Sequence, residues 1–253
     1  MTGLLPLSLN RANKAIALLL LGGKEYIALM HVHKEFDEEH LKKQMLEFVG
    51  KINQLPPVRS NVKRQYRERT VYYLDILEVD GRDVLFRVGV ESGTYIRKLI
   101  HDMGEKIGVG AHMVELRRTK VANLTEDDSL STLQNLEDAV YFYEKEGDEK
   151  PLNKVVQNIE KAVDFLPKVW ISDFAVDTVC KGAPVAVPGV VKFNPFKIDE
   201  WVLIYTLKGE IVAIGKAAID SSSLKDIEKG IVIRTDSVIM RPGVYPEYHR
   251  AQQ

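Results

Sequence analysis

Residues 93–118, GTYIRKLIHDMGEKIGVGAHMVELRR, predict a helix followed by a strand and thereby decide the fold of the first half of the chain. Thr94 has the side chain of a helix N-cap, and Gly108 is the residue type that ends helices. We therefore expect a helix over 95–107 and a strand over 112–118. The helix would bury one apolar face, formed by residues at helical spacing: Ile96, Leu99, Ile100, Met103 and Ile107.

Arg97 falls in the first turn of this helix, where the backbone dipole is positive and a cation costs about 0.3–1 kcal/mol. That cost is offset if the guanidinium faces an anion. A helix N-terminus with free N–H groups and an arginine suits a phosphate or a carboxylate. The alternative is that solvent surrounds Arg97, and the residues alone leave both interpretations open.

Three motifs give this stretch a family resemblance. Gly93–Leu99 matches G-T-Y-I-R-x-L, Gly110–Arg118 matches G-A-H-M-x-E-L-R-R, and Gln54–Arg64 matches Q-x-P-P-x-x-S-x-V-K-R. In these motifs the chain resembles the TruB-type RNA pseudouridine synthases, and most of all the archaeal and eukaryotic dyskerin-like subunits of H/ACA guide-RNA particles. The resemblance implies guide-dependent isomerisation of uridine to pseudouridine in ribosomal or transfer RNA. It implies no metal and no organic cofactor.

The resemblance also implies a set of site residues. Tyr26 matches the family's active-site tyrosine, which packs on the target base and is its favoured general base. Tyr95 matches a second aromatic residue of the pocket, and Leu116 matches its apolar wall. Arg97 matches the arginine that pairs with the catalytic aspartate, which would be the anion that the helix dipole argument requires.

One motif of the family is incomplete here. The catalytic aspartate lies in a loop of pattern G-T-L-D-P-x-x-T-G, and the chain opens with Met1-Thr2-Gly3, which matches only the end of that loop. The aspartate would be the third residue upstream of Met1. We therefore expect a truncated or misplaced start, and we expect the chain as given to be inactive. The alternative function is a non-catalytic RNA-binding scaffold.

Composition limits the other possibilities. The 253 residues are 45% hydrophobic and 28% charged, which is typical of a globular protein of two domains. Cys180 is the single cysteine, so an internal disulfide and multi-cysteine zinc sites are excluded. Ala15–Leu21 is apolar but too short to span a membrane, and we interpret it as a buried helix rather than a signal-peptide core. His31 and His33 would share a strand face, but without a third ligand we predict no metal site.

The net charge of −1 conceals strong segregation. Residues 51–70 are basic, whereas residues 121–150 hold nine acidic residues against Lys145 and Lys150. We predict that the basic stretch contacts RNA phosphates and that Tyr66 stacks on a base; the alternative is a solvated charge run. The predicted phosphate ligands are Arg59, Lys63, Arg64, Arg67 and Arg69.

Periodicity predicts an α/β (α+β) domain over residues 1–166, with a mixed sheet. Its expected elements are helices over 9–21, 37–49 and 153–165, a strand over 25–33, and a hairpin of strands 71–79 and 84–90 around Asp80-Gly81. The family resemblance makes this the pseudouridine synthase catalytic domain.

Residues 167–253 read as short strands between glycine and proline turns, which is typical of a small β-barrel. Strands are predicted over 168–171, 184–187, 201–206 and 211–217. This segment resembles a PUA domain, and the resemblance implies RNA contacts from Gly182, Ala183, Pro188, Gly189 and Lys216. It further implies a guide RNA, a substrate RNA and small H/ACA protein subunits as partners. We expect an archaeal, cytoplasmic protein without a membrane segment.

Overall fold

The computed structural model describes residues 1–56, 63–127 and 129–247, which form two compact units. The first unit comprises Met1–Pro6 and Leu18–Val156, and the second comprises Leu7–Ala17 and Gln157–Gln253. The predicted division into domains 1–166 and 167–253 stays a prediction. The two units differ from it in assigning Leu7–Ala17, near the start of the chain, to the second unit.

A seven-stranded mixed sheet forms the first unit. Its strands are β1 (Thr2–Gly3), β2 (Lys24–Val32), β3 (Gly50–Gln54), β4 (Arg67–Asp80), β5 (Asp83–Val90), β6 (Ala111–Val121) and β7 (Leu124–Thr125). They run in the order β1-β6-β2-β5-β4-β3, and β7 pairs with β6. Only β1 and β6 are parallel within the described residues of this sheet. The long central strands therefore form an antiparallel platform.

Two helices, α2 (Glu38–Leu46) and α3 (Ile96–Ile107), cover one face of this sheet. The other helices that begin in the first 156 residues are α1 (Asn13–Leu21), α4 (Leu133–Glu146) and α5 (Lys150–Val155). Ala28, Met30 and Val32 alternate along β2 and are fully buried, because they face α2 and α3 in the first core. A Cβ on Gly104 of α3 would lie 2.2 Å from the Ala111 amide nitrogen, so α3 packs against the start of β6 as only glycine permits.

Most predicted elements of this unit are confirmed, with three corrections. The helix over Ala15–Leu21 is buried only in part, since Leu20 and Leu21 are more than half exposed. The hairpin turns at Gly81, whose φ is +55°, and Gly108 ends α3 in the left-handed conformation. Thr94 is not the N-cap of α3; Tyr95 occupies that position without a side-chain cap. The segment predicted over 153–165 is helical but divided, because α5 ends at Val155 and a second short helix, α6 (Ile159–Val163), follows it.

The second unit is built on a six-stranded sheet. Its strands are β8 (Lys168–Ile171), β9 (Val185–Ala186), β10 (Val190–Phe193), β11 (Trp201–Tyr205), β12 (Ile211–Ala217) and β13 (Ile231–Val238), in the order β10-β8-β11-β12-β13-β9. The two edge strands, β9 and β10, are joined by only three residues, Val187–Gly189. Since a chain spans at most about 3.6 Å per residue, the two edges lie close together and the sheet is nearly closed.

A separate core fills this barrel. Val169, Val202, Ile204 and Val232 are fully buried, and α7 (Asp173–Cys180) packs on them with its buried side chains Val176 and Val179. The prediction of a barrel is confirmed, but sequence periodicity missed β10, β13 and α7. No helix of the described residues is long and apolar enough to cross a membrane.

Candidate functional site

Arg97 is exposed in the first turn of α3, as the helix pattern predicts. Within the described part of the chain no carboxylate pairs with it. The next basic residue, Lys98, forms an ion pair with Asp102 one turn further along the helix. An unpaired guanidinium at the positive end of a helix is a ready binding site for an anion.

The start of α3 is held from outside the helix. Gln54, the last residue of β3, is only 2% exposed, and its side-chain amide meets the backbone of Tyr95. The Tyr95 N–H donates to Gln54 Oε1 at 3.0 Å, and Gln54 Nε2 donates to the Tyr95 carbonyl at 3.3 Å. Gln54 belongs to a family motif quoted above, but sequence reasoning gave it no role.

Tyr26 and Leu116 lie on the face of the sheet that α3 covers. Tyr26 is half-buried against the first core, and Leu116 belongs to that core with 9% exposure. Leu116 is the cross-strand partner of Ala28, two residues beyond Tyr26 on β2. Because α3 packs on both β2 and β6, the fold brings the start of α3 and these two residues to one face of one sheet. Hydrogen bonds do not join the four predicted site residues to one another in the residues described.

Arg118 is a neighbour of Tyr26 that the sequence analysis did not select. The two residues are cross-strand partners, so their side chains share a face of the sheet. Arg118 Nε donates to the Leu4 carbonyl at 2.8 Å, and Gly3 pairs with Arg118 in the parallel β1–β6 ladder. A Cβ on Gly3 would lie 2.2 Å from the Arg118 carbonyl oxygen, which explains the glycine. Residues Thr2–Leu4 therefore run beside the strand that carries Leu116 and Arg118.

Lys24 connects the end of α1 to the segment that leads into α3. Its Nζ donates to the carbonyls of Leu20 and Gly22 at 2.7 and 2.8 Å, and to Ser92 Oγ at 2.9 Å. Burial lowers the pKa of Lys24, and the nearby charge of Arg118 lowers it further. Ser92 lies three residues before Tyr95, so Lys24 and Gln54 hold the two ends of the segment that leads into α3.

The basic stretch divides into paired and unpaired cations. Lys63 and Arg64 are exposed, as is Tyr66 at 72%. Arg67 donates to the Lys63 carbonyl, and Arg69 lies 3.5 Å from the Glu91 carboxylate. Arg59 lies outside the described residues. The ion pair of Arg69 occupies its charge, so Lys63 and Arg64 are the cations best placed for a phosphate.

In the second unit the predicted RNA-binding residues lie in two places. Four of them flank the short strand β9: Gly182, Ala183, Pro188 and Gly189. Gly182 has a φ of +93°, and the Ala183 carbonyl accepts a hydrogen bond from Thr235 Oγ1. Lys216 is exposed on β12, and its Nζ lies 5.0 Å from the centre of the Trp201 ring.

The histidines at the far end of β2 form a small cluster. His33 Nε2 lies 2.9 Å from His112 Nδ1, and His31 Nδ1 lies 2.7 Å from Asp83 Oδ1. Across residues 1–56, 63–127 and 129–247, no group of three His, Cys, Asp or Glu side chains is placed to hold a metal ion.

Three family models match consecutive parts of the chain. Residues 1–96 match the TruB family pseudouridylate synthase N-terminal domain, residues 97–164 the tRNA pseudouridylate synthase B C-terminal domain, and residues 167–239 the PUA domain. Together the matches define a pseudouridine synthase with an appended PUA domain. The chain belongs to the TruB family and is by family an RNA-modifying isomerase.

Curated relatives agree. The chain is 50% identical over 247 residues to the probable tRNA pseudouridine synthase B of Pyrococcus abyssi, covering 97% of this chain and 74% of that protein. It is 48% identical over 247 residues to the protein of the same name from Methanopyrus kandleri, with 97% and 73% covered. The chain thus spans about three quarters of the length of these relatives.

Two solved structures share the fold. A chain of the "Crystal Structure of a Cbf5-Nop10-Gar1 Complex" superposes with a TM-score of 0.94 at 49% identity, covering 97% of this chain and 75% of that one. A chain of the "Structure of H/ACA RNP bound to a substrate RNA containing 2'-deoxyuridine" gives a TM-score of 0.87 at 47% identity, covering 95% and 73%.

Proposed function

We propose that this chain is the catalytic subunit of a guide-RNA-dependent pseudouridine synthase acting on ribosomal or transfer RNA. One observation carries the proposal: almost the whole chain resembles a protein solved in an H/ACA particle with a substrate RNA. By the same likeness its partners are a guide RNA, a substrate RNA and small subunits of the kind named Nop10 and Gar1 in the related complexes. An archaeal, cytoplasmic setting belongs to the same proposal.

The proposed reaction begins with a uridine flipped out of its stack, which costs a few kcal/mol. Tyr26 would pack on the flipped base, and Leu116 and Tyr95 would enclose it. An aspartate of the family's loop would drive cleavage of the glycosidic N1–C1′ bond, after which the base turns and C5 bonds to C1′. C5 then loses its proton, with Tyr26 as the proposed general base, and N1 gains a proton, so that the product is an isomer of uridine. The geometry supports this arrangement because Tyr26 and Leu116 share the sheet face on which α3 packs.

Arg97 would pair with the aspartate. Its exposed, unpaired guanidinium in the described structure leaves it available for that carboxylate. Thr2–Gly3, which match the end of the aspartate loop, pair with Arg117 and Arg118, next to Tyr26. This pairing supports a loop that would arrive beside Tyr26.

The PUA domain match and the exposed cations Lys63 and Arg64 favour a second candidate function, a non-catalytic RNA-binding scaffold. Three proteins separate the two: the 253-residue chain, a version extended upstream with a family-type aspartate loop, and the extended version with aspartate replaced by asparagine. Pseudouridine formation is measured by tritium release with matched guide and substrate RNA. We expect turnover only from the second protein. Turnover by the 253-residue chain would contradict the proposed mechanism, and inactivity of all three with intact RNA binding would support the scaffold.

Guide recognition is proposed for the second unit, through Lys216 and the residues around β9. Sequence-specific RNA binding commonly reads unstacked bases, as in a single-stranded ACA end. The test uses the full chain, because Leu7–Ala17 and residues 157 onward form one unit and a cut at residue 166 would divide it. Binding of guides with an intact or a scrambled ACA is compared. Equal affinity for the two guides would refute the assignment.

A further inference from the structure

We infer that Gln54 is a positioning residue: its side-chain amide sets the backbone of Tyr95 and thereby the directions in which Tyr95 and Arg97 leave α3. The inference rests on the proposed function. It starts from a buried amide, 2% exposed, that makes both of its described hydrogen bonds with the backbone of one residue 41 positions later in the chain.

The start of α3 needs such a partner. Tyr95 is the N-cap, and its side chain caps nothing. In a capping box the residue three positions into the helix accepts a hydrogen bond from the N-cap N–H. That residue here is Lys98, which has no acceptor and pairs with Asp102 instead. Gln54 Oε1 accepts the Tyr95 N–H in its place, from a neighbouring strand.

The second hydrogen bond makes the contact specific for an amide. The Tyr95 carbonyl already accepts the first helical bond, from the Leu99 N–H at 3.0 Å, and Gln54 Nε2 is its second donor. Glutamate would keep the acceptor but place a carboxylate oxygen against this carbonyl. Leucine would leave the partly buried Tyr95 N–H without its acceptor. Only glutamine or asparagine supplies both groups, and asparagine is one methylene too short to reach.

The consequence concerns direction. With both its N–H and its carbonyl held, Tyr95 keeps a φ of −96° and a ψ of 106°, and the helix axis begins at a defined angle to β3. Arg97 lies two residues further on, so its Cα–Cβ direction follows from the same two bonds. Small displacements of a group that stabilises charge reduce rates strongly, because the stabilisation depends on preorganised geometry.

The experiment uses the version extended with the aspartate loop. Gln54→Leu and Gln54→Glu are compared with Leu74→Ala, a control that opens the same core from a different strand, β4. The thermal midpoint, the Kd for guide-bound substrate and the single-turnover rate are measured well below all midpoints. We expect Gln54→Leu to slow the single-turnover rate at least tenfold with a Kd changed less than twofold. Gln54→Glu should fall between Gln54→Leu and the unchanged protein.

Leu74→Ala should lower the thermal midpoint without lowering the rate. If Gln54→Leu slows the reaction no more than Leu74→Ala does, the inference is overturned. Amide hydrogen exchange, which does not depend on enzymatic activity, separates failure of this inference from failure of the proposed function. In Gln54→Leu the Leu99 N–H should exchange with deuterium at least tenfold faster, while the Gly108 N–H, bonded to Gly104 at the other end of α3, keeps its rate. Equal acceleration at both ends, or none at either, refutes the inference even if the extended protein is inactive.

Discussion

The two units hold their cations in different ways. In the first unit most paired cations meet carboxylates, as in Lys51–Glu68 and Arg87–Asp75. In the second unit Lys168 and Lys181 also meet carboxylates, but three further lysines lie over aromatic rings: Lys192 over Trp170, Lys208 over Tyr245 and Lys216 over Trp201, at 4.8–5.1 Å from the ring centres. A carboxylate neutralises its partner, whereas a ring orients a cation and leaves its charge available. The second unit therefore exposes lysine charges that aromatic rings hold in place. In the first unit, a positive charge is available only where a cation has no carboxylate partner.

The largest effect is expected on replacing Arg97, an unpaired cation of the first unit, because its charge is proposed to act on the catalytic carboxylate. In the extended version, Arg97→Ala should lower the single-turnover rate about 100- to 1,000-fold, the usual effect of removing a preorganised charge-stabilising group. Arg97→Lys should recover part of the rate, since it keeps the charge but not the forked geometry. Arg87→Ala removes an exposed cation that is already paired with Asp75, and its rate should stay within about twofold of the parent. Equal reductions in the two alanine variants would break the comparison.

The next largest effect is expected on removing cations from the basic stretch, residues 51–70. Replacing Lys63, Arg64 and Arg67 with alanine should weaken RNA binding and flatten the slope of log K against log salt. The expected change is about 0.7 for each phosphate of a single strand that the variant no longer neutralises. Titrations at several salt concentrations measure the slope. Lys51→Ala, whose ammonium is paired with Glu68 at 2.9 Å, is the matched control and should leave the slope unchanged. An unchanged slope in the triple variant would place these residues on a solvated surface.

A smaller effect is expected for the ring-bound lysines. Lys216→Ala should weaken guide binding by about threefold to tenfold, the effect of one phosphate contact, because the Trp201 ring holds Lys216 without cancelling its charge. Lys229→Ala removes an exposed lysine that lies outside the ring pairs and should have no measurable effect. If the two variants bind alike, an aromatic partner does not prepare a lysine for RNA in this unit.

The smallest effect concerns stability, and it is expected at a buried ion pair of the second unit. Buried Asp177 pairs with Lys181 at 2.7 Å and accepts the Gly243 N–H at 2.9 Å. The hydrogen bond from Lys181 and the backbone bond from Gly243 lower the pKa of Asp177, against the effect of burial. A lowered carboxyl pKa stabilises the fold above the unfolded-state pKa of about 3.9, and this stabilisation disappears as the pH falls through the folded value.

Asp177→Asn should therefore lower the thermal midpoint at pH 7, and the difference from the parent should shrink as the pH falls below about 4. Scanning calorimetry across this range measures it. Asp226→Asn, at an exposed position, is the control. A difference between Asp177→Asn and the parent that does not depend on pH would mean that the ion pair contributes no net stability.

The spacing of apolar residues along the sequence predicted those helices and strands in which several side chains of one element repeat the same buried face. The apolar face of α3 and the alternation of β2 are visible in the sequence, because each is repeated by several side chains of one element. α7 was not visible, since Val176, Thr178 and Val179 are residues that favour strands and only the barrel core makes them helical. Gln54 was not visible either, because an amide bonded to a backbone 41 residues away leaves no periodic signal.

The membership of Leu7–Ala17 in the second unit has a consequence for synthesis. Arg11 Nη1 donates to the Ile239 carbonyl at 3.1 Å, and Lys14 Nζ donates to the Val238 carbonyl at 2.7 Å, across 228 and 224 residues of chain. At about 5–20 residues per second, a ribosome needs roughly 10–45 s to make the intervening chain. During that time these residues have left the ribosome but lack the carbonyls they will bind. The barrel can therefore be completed only after β13 emerges, and Leu7–Ala17, although made early, is among the last segments to acquire its native neighbours.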